Sequence, residues 1–539
     1  MIRLLIMALA LWILPAGMAE AGPAFLAVLS AGGGLGAAFG ATAVGGFLAT
    51  TPGRLLASVA LSALLGNSVP KARDPGITTP VTQTGGTNPV SFVLGTYATS
   101  GSAVSPPMSH GKAGKTPNAY LTYVVDLGDA PSPALDGLII DGEFVTIGTV
   151  AHPDYGLPLT GRFTDFGWVK YYDGTQTAAD PMLLAKYGTY PNRPWLADMI
   201  GRGVPYVILT FRYNLEVYSA FPTAREVSVG KTFYDPRLDS TVGGAGTHRW
   251  ANEASWSISN NPAVQIYNIL RGIRLIDGTV WGGGAGADDL PLSNWFAAMN
   301  SCDFAVALQG GGTEPRFRSG LEVSLDQRPA DVVAELLKAC AGKIVEAGGY
   351  WKIRVGGPGL PVYFFTDDDV LVTEPQELVP FSGLDGVINA VHASYPEPAS
   401  IWEPKEAPAR TNAAYEAQDQ GQRRPIDLSL PAAPYKRQVQ RLMRIKLEEG
   451  RKFLRHTLTL TPDAAILEPL DVVSWTSAMN GYAAKLFEVA DIADDLMTLN
   501  QGVNLLEVDP ADQNWQPDFE LPSATTPGGI VNAAAQSLP

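Results

Sequence analysis

The residues of this chain whose types could do chemistry are five histidines, two cysteines and a run of three acids. A zinc hydrolase of the HExxH kind needs two histidines one helical turn apart, because both rings must reach one ion. His110, His152, His248, His392 and His456 lie far apart in sequence and share no such spacing. None sits near a Gly-x-Ser-x-Gly nucleophile elbow. Asp367, Asp368 and Asp369 would suit calcium binding or general acid–base work. Adjacent acids alternate faces on a strand, however, and the run lacks the Asp-x-Asp-x-Asp-Gly loop with its distal Glu. It reads as a solvated turn. Gly282-Gly283-Gly284-Ala285-Gly286 has the glycine content of a phosphate loop but no following Lys-Ser/Thr, so it reads as a flexible loop. Cys302 and Cys340 have no CxxC partner and are too few for a disulfide framework. Both fall in helix-like segments, where a buried small apolar side chain is expected before a bridge. The sequence therefore assigns no catalytic, cofactor-binding or metal-ligating residue, calls for no cofactor, and points away from an enzyme.

The charge balance narrows the partners. With 38 basic against 53 acidic residues in 539, the net charge is −15. A nucleic-acid reader carries a basic face, so DNA as a surface partner is excluded. An acidic channel that lets DNA pass without adhesion is not, because like charge repels it. Apolar residues make up 46% of the chain, with 57 Gly and 42 Pro, which suits a folded, turn-rich, largely β protein of about three or four domains.

The elements that would position any site follow along the chain. Residues 1–19 imitate a secretory signal, with Arg3, an apolar run and small residues near Ala19. The apolar character continues through 24–49 and 54–65, with Arg3, Glu20 and Arg54 the charges over 1–66. A membrane hairpin and a bundle of closely packed small-residue helices, such as a plug, both fit. Residues 66–90, rich in Pro, Gly and Thr, read as a linker. Runs at 120–128, 134–148 and 204–214 are rich in β-branched and aromatic residues and read as strands, with Asp141-Gly142 as a hairpin turn. A short helix is expected near 181–187. Ser293 can cap a helix that carries Trp295, Phe296 and Met299. A strand, a helix with Val332, Val333, Leu336, Leu337 and Cys340 on one face, and a hairpin turning at Gly348-Gly349 follow. A strand leading to Tyr395 and an exposed acid- and Pro-rich extended loop come next. Tyr435–Lys452 is an amphipathic helix with Val439, Leu442, Met443 and Leu447 inward and its cations solvated. His456–Leu460 alternates as a strand does.

One stretch, Phe233–Ile273, is the most distinctive. Tyr234-Asp235-Pro236-Arg237 is a turn signal after a β-like run, and a Gly-rich loop with Trp250 and Trp256 follows. Asn261 is the expected N-cap of a helix with Pro262 at its first position, Val264, Tyr267, Ile269 and Leu270 on its apolar face and Gly272 at its end. The order of Tyr-Asp-Pro-Arg, Gly-rich loop, Trp, Asn-Pro-Ala and Tyr-x-x-Leu-Arg-Gly-Ile resembles the central tail hub proteins of long-tailed phages and gene transfer agents, which include the tip attachment protein of lambda-like phages. Glu468-Pro469-Leu470-Asp471-Val472-Val473 is similar to that family's Pro-Gly-Asp turn before a barrel strand, with Leu470 where Gly is common. The resemblance covers roughly residues 75–515.

The resemblance implies a mainly β fold with α+β insertions and two related β-barrel hub domains, to which the apolar run adds an N-terminal apolar helical segment. The domains expected are an apolar arm over 1–70, a first barrel with an insertion over 71–240, an α+β insertion over 241–375, a second barrel with a crossing helix over 376–514 and an extended tail over 515–539. It implies a homotrimer at the tail tip that adapts a sixfold tube to a threefold tip and forms the closed channel for DNA ejection. The partners it implies are a distal tail protein and other tail-tip proteins, a tape measure protein in the lumen, a tail fibre or receptor-binding protein, and DNA in transit; the apolar run adds an expected contact with the host membrane through residues 1–66. The alternative is a secreted or envelope-anchored β-rich binding protein, suggested by the signal-like start.

Overall fold

The computed structural model describes residues 83–84 and 90–522, apart from 192, 219, 382, 384, 385 and 496. The apolar arm read over 1–70 and the end of the tail beyond 522 lie outside the described residues.

The chain enters the first β unit through β1 (Ser91–Gly95), whose pairing partner lies outside the unit's two sheets, and the unit opens with β2 (Tyr97–Thr99) and β3 (Ser102–Ala103), one run broken at Gly95 and Gly101. Gly101 has φ +57°, and a Cβ there would lie 2.3 Å from the Asp126 carbonyl oxygen, so only glycine lets the chain turn between β2 and β3. There follow β4 (Met108–Ala113), β5 (Thr116–Asp126), β6 (Leu135–Ile140), β7 (Glu143–Val145), β8 (Leu157–Pro158), β9 (Gly167–Tyr172), helix α1 (Pro181–Tyr187), β10 (Tyr206–Arg212) and β11 (Ala224–Ser228). Asp141 (φ 48°) and Gly142 (φ 78°) make the tight turn between β6 and β7 that the sequence called for.

These strands form two sheets. One runs β3–β5–β10–β9–β8, with β4 hairpinned on β5 and residues 83–84 beside β3; the other runs β2–β11–β6–β7. Their inner faces share one core that includes Val125, Leu138, Ile140, Val169, Leu209 and Phe211. At one seam the chain itself crosses between sheets at Gly101. At the other, β7 and β8 run out into a single bridging pair, Ile147 with Leu159, backed by the Thr160 N–H donating to the Thr146 carbonyl at 3.0 Å.

The middle of the chain is α+β. Helix α2 (Pro262–Arg271) starts where Asn261 caps it, its side chain accepting from the N–H groups of Ala263 and Val264, and ends at Gly272. Helix α3 (Leu292–Asp303) is capped by Pro291 without a side-chain bond, so Ser293 sits inside the first turn rather than at the cap. The 282–286 glycines are not a loose loop. Gly283 N–H donates to the Ile269 carbonyl and Ala285 N–H to that of Leu270, satisfying the open carbonyls at the end of α2. Strand β12 (Gly320–Ser324) pairs with β1, and α4 (Pro329–Ala339) with the hairpin β13 (Lys343–Ala347) and β14 (Tyr350–Arg354) follows as the sequence predicts. Val332, Val333, Leu336, Leu337 and Cys340 are all buried. Cys302 and Cys340 are free thiols.

The second β unit begins at β15 (Tyr363–Thr366), inside the stretch read as α+β. Asp367–Asp369 form a 3-10 turn closed by a Thr366–Asp369 capping box, and β16 (Glu377–Val379) comes next. An insertion then interrupts the unit. Strand β17 (Ala390–Glu397) is paired by β18 (Glu403–Glu406), β19 (Arg410–Thr411) and β20 (Pro425–Ser429). Helices α5 (Ala413–Gln418) and α6 (Lys436–Glu449) complete it. The acid- and Pro-rich segment is thus largely paired strand and helix, because both edges of β17 offer backbone groups that need partners. The unit resumes with β21 (Arg455–Leu460), β22 (Val472–Ser477), β23 (Tyr482–Asp494) and β24 (Gln501–Glu507), in the order β15–β22–β23–β24–β21–β16. Between β15 and β16 the chain passes to the far edge, where Val370 bridges Leu460.

The two β units share one circuit. Going round the first gives β2/β3, β5, β10, β9, β6 (through β7 and β8), β11 and back to β2. The second gives β15/β16, β21, β24, β23, β22 and back to β15. They coincide strand for strand, with β11 as an extra strand in the first. Directions agree too: β6 and β2 are each antiparallel to β11, hence parallel to each other, as β22 is to β15. Neither sheet is a closed barrel among the described residues, because each circuit depends on single bridging pairs rather than a continuous ladder. The molecule is mainly β, and that part of the expectation holds.

Among the described residues no helix is long and apolar enough to cross a membrane.

Candidate functional site

The Phe233–Ile273 stretch builds the most concentrated cluster of aromatic and charged side chains. Asp235 caps the 3-10 turn Pro236–Leu238, accepting from the Arg237 N–H at 2.9 Å. The Arg237 guanidinium grips the same carboxylate (2.6 Å) and Asp303 at the end of α3 (2.8 Å). Tyr-Asp-Pro-Arg is therefore a clamp between this turn and α3. Asp239, 2% exposed, accepts from the Tyr234 hydroxyl (2.8 Å), the Thr241 N–H and hydroxyl (2.8 and 2.6 Å) and Arg249 (2.9 Å). Burial alone would raise its pKa, but these donors and the Arg249 charge together hold it below the usual carboxylate range. Burial, and then the Asp239 carboxylate that its hydroxyl bonds, push the Tyr234 hydroxyl up. His248 Nδ1 accepts from the Asp235 N–H at 3.1 Å, and burial lowers its pKa.

Helix α2 sets the floor. Asn268 accepts from the Tyr234 N–H (3.1 Å) and donates to the Tyr234 carbonyl (2.8 Å), which locks the turn to the helix. One turn on, Arg271 lies 4.0 Å over the Trp250 ring and donates to the Tyr267 hydroxyl at 3.2 Å. A pocket of about 290 Å³ opens here, lined by Tyr234, Asp239, Arg249, Trp250, Tyr267 and Arg271 among others. The one acid among the lining residues named, Asp239, is paired to Arg249 and bonded by the Tyr234 and Thr241 hydroxyls, and the pocket is large enough to hold a side chain or small group. Arg271 forms no ion pair among the described residues, which leaves its charge available to a carboxylate.

The other chemistry-bearing residues do not converge. His110 bonds the Tyr187 and Tyr155 hydroxyls (2.7 and 3.1 Å), and His152 stacks on Tyr155. His392 is exposed on β17, and His456 is buried against Trp475 and Phe487 in the second unit. Among the described residues no group of three or more His, Cys, Asp or Glu could hold a metal ion. Asp367 accepts from the Ala478 and Met479 N–H groups (2.9 and 3.2 Å), a structural task. Cys340 lies buried beside Cys302, whose thiol, with burial, pushes that of Cys340 up.

Sequence patterning missed the polar core. On α6, Gln438, Gln440 and Arg441 are buried beside the predicted apolar face. Arg441 pairs with Glu314 at 2.6 Å rather than facing water. Leu470, in the position where the resembling family carries Gly, has φ +76°, the left-handed conformation for which Gly is preferred.

Residues 328–492 match the family described as "Putative phage tail protein". No curated protein matches the chain. Among solved structures, a chain of the virion of a native gene transfer agent particle is similar over 89% of this chain and 98% of that one, at 14% identity and a TM-score of 0.56. A tail protein from Neisseria meningitidis MC58 is similar over 80% of this chain and 99% of its own, at 12% identity and a TM-score of 0.27. A prophage MuSo2 tail protein from Shewanella oneidensis is similar over 79% and 96%, at 10% identity and a TM-score of 0.27. Residues 328–492 thus carry the segment that this family's model describes, and the chain shares its fold with the gene transfer agent chain.

Proposed function

We propose that this chain is the central hub of a tail tip: a homotrimer that adapts a sixfold tube to a threefold tip and forms the closed channel through which DNA leaves. The observation that carries this reading is the strand circuit common to the two β units. Three copies of a chain with two similar β units present six similar units, which is what a sixfold tube requires of a threefold adaptor. The second unit exposes Phe364, Val372, Phe381, Met479 and Met497, each at least 70% accessible, a density expected of surfaces that meet neighbours. The net charge of −15 suits a lumen that passes DNA without binding it. A distal tail protein and a tape measure protein are the neighbours on this reading. A fibre or separate receptor-binding protein supplies host recognition, and residues 1–66 act as a plug or at the host membrane. The Trp250–Arg271 pocket suits an acidic side chain from one of these neighbours. The role is structural rather than enzymatic.

Mass measurement and negative-stain imaging of the purified chain in detergent test the proposal. A threefold ring with a central channel is expected. A chain that stays monomeric both alone and when mixed with its tail-tip neighbours refutes it. Deleting residues 2–66 tests the plug: tails that still assemble and eject DNA normally remove that role.

A further inference from the structure

Glu226 lies in the middle of β11 and is fully buried, with no hydrogen-bond partner for either carboxyl oxygen. Its cross-strand neighbours are Thr99 of β2 and Leu138 of β6, which place it on the inner face of the first unit. Facing it from the β1–β12 ribbon is a second acid, the half-buried Glu322. One Glu322 oxygen accepts from the Ser91 and Thr99 hydroxyls, both at 2.8 Å; the other is buried and unpaired. Two acids and three unpaired carboxyl oxygens thus share one seam between the ribbon and the β2–β11–β6 sheet. The Arg225 charge lowers both carboxyls, but not by enough to offset their burial. Arg225 is adjacent on β11 but alternates to the opposite face, where it donates to the Ile401 carbonyl at 2.7 Å and approaches Glu403 at 3.4 Å. Tyr97 of β2 stays protonated, pushed up to about 12. The inward residues of β6 are apolar.

We propose that Glu226 and Glu322 form a proton-held latch, which docks the β1–β12 ribbon on the first β unit while Glu226 is protonated and loosens it when both acids ionise. Burial first, and then the neighbouring Glu322 charge, raise the Glu226 carboxyl to about 8. A carboxyl whose folded pKa stands above its ordinary value stabilises the fold fully below that ordinary value. The contribution is lost as pH rises through about 8. Strand β12 leads directly into α4, so release of the ribbon would reach the α+β layer and the matched segment. An alkaline shift would then loosen the middle of the chain without unfolding either β unit.

Hydrogen exchange of the full chain between pH 6 and 9, corrected for the intrinsic rate, tests the latch. Peptides covering 91–95 and 320–324 should lose protection in the wild type with a midpoint near pH 8. Glu226→Gln, which cannot ionise, should keep that protection across the range. Glu322→Gln should move the midpoint to lower pH, because the like charge that raises Glu226 is gone. Flat protection in the wild type, or the same profile in wild type and Glu226→Gln, overturns the proposal. If Glu226→Gln does not fold, the direction of the Glu322→Gln shift decides alone.

Discussion

Replacing Gln438 by Leu should damage the molecule far more than its place on a helix suggests. Gln438 is fully buried near the start of α6, and its amide makes three bonds to other parts of the chain. It accepts from the Arg318 N–H (2.8 Å) and donates to the carbonyls of Arg318 (2.8 Å) and Ala339 (2.7 Å). Gln438 therefore joins α6, the approach to β12 and the end of α4. Leucine preserves approximate volume and helix propensity but leaves one N–H and two C=O groups buried without partners. At roughly 1–3 kcal/mol for each unsatisfied group, less some recovery from apolar burial, the loss should be about 4 kcal/mol. In a folded unit of this size that corresponds to a fall in Tm of roughly 8 °C. Calorimetry with tryptophan fluorescence would read it. Gln440→Leu is the control. Gln440 is equally buried, but its two bonds are both to Leu521 in the strap after the second unit, so a loss of about 1–2 kcal/mol is expected. Equal losses for the two variants, or a Gln438→Leu protein within about 2 °C of wild type, would refute the reasoning.

Three further outcomes follow from single contacts. Glu488, 2% exposed on β23, pairs with Lys343 and Arg354 of the β13–β14 hairpin, so Glu488→Gln should cost about 3 kcal/mol and free the hairpin to proteolysis. Most of that loss comes from Arg354, because Lys343 is solvent-screened. Asn261→Ala removes the cap of α2 and the amide bond to the Met299 carbonyl, and should lower stability by about 2 kcal/mol in the same melts. The pH-dependent loosening assigned to Glu226 should appear as exchange confined to 91–95 and 320–324 before any global transition.

The sequence was informative wherever one residue decides the local backbone. Asn261-Pro262 and Gly272 bracket α2, and Asp141-Gly142 and Gly348-Gly349 turn their hairpins where they were expected. The left-handed backbone at Leu470 gives a physical reason for glycine at that place in the resembling family. What could not be read was the long-range pairing. The crossing strand β2/β3 pairs with residues near 126 and 228, and β15 with residues near 473, and nothing in those short runs specifies such distant partners. Strand β17 was legible as a strand, but the segment after it, carrying β18 to β20, looked like loop because it is acidic and rich in proline. Buried polar residues were the other blind spot. Periodicity assigns Gln438 and Arg441 to the solvated side of α6, whereas both are buried by packing from segments far away in sequence. The candidate pocket was legible as a stretch of unusual residues, but its pairing of Asp239 with Arg249 and of Trp250 with Arg271 was not.

The central claim is that three copies of this chain form the channel at the tail tip. Its most direct test is to image purified particles with the chain labelled and to count the label per particle. Three copies around a central channel at the distal end of the tail are expected. Label along the tube, six copies per ring, or particles that lack the chain yet carry complete tips would contradict it.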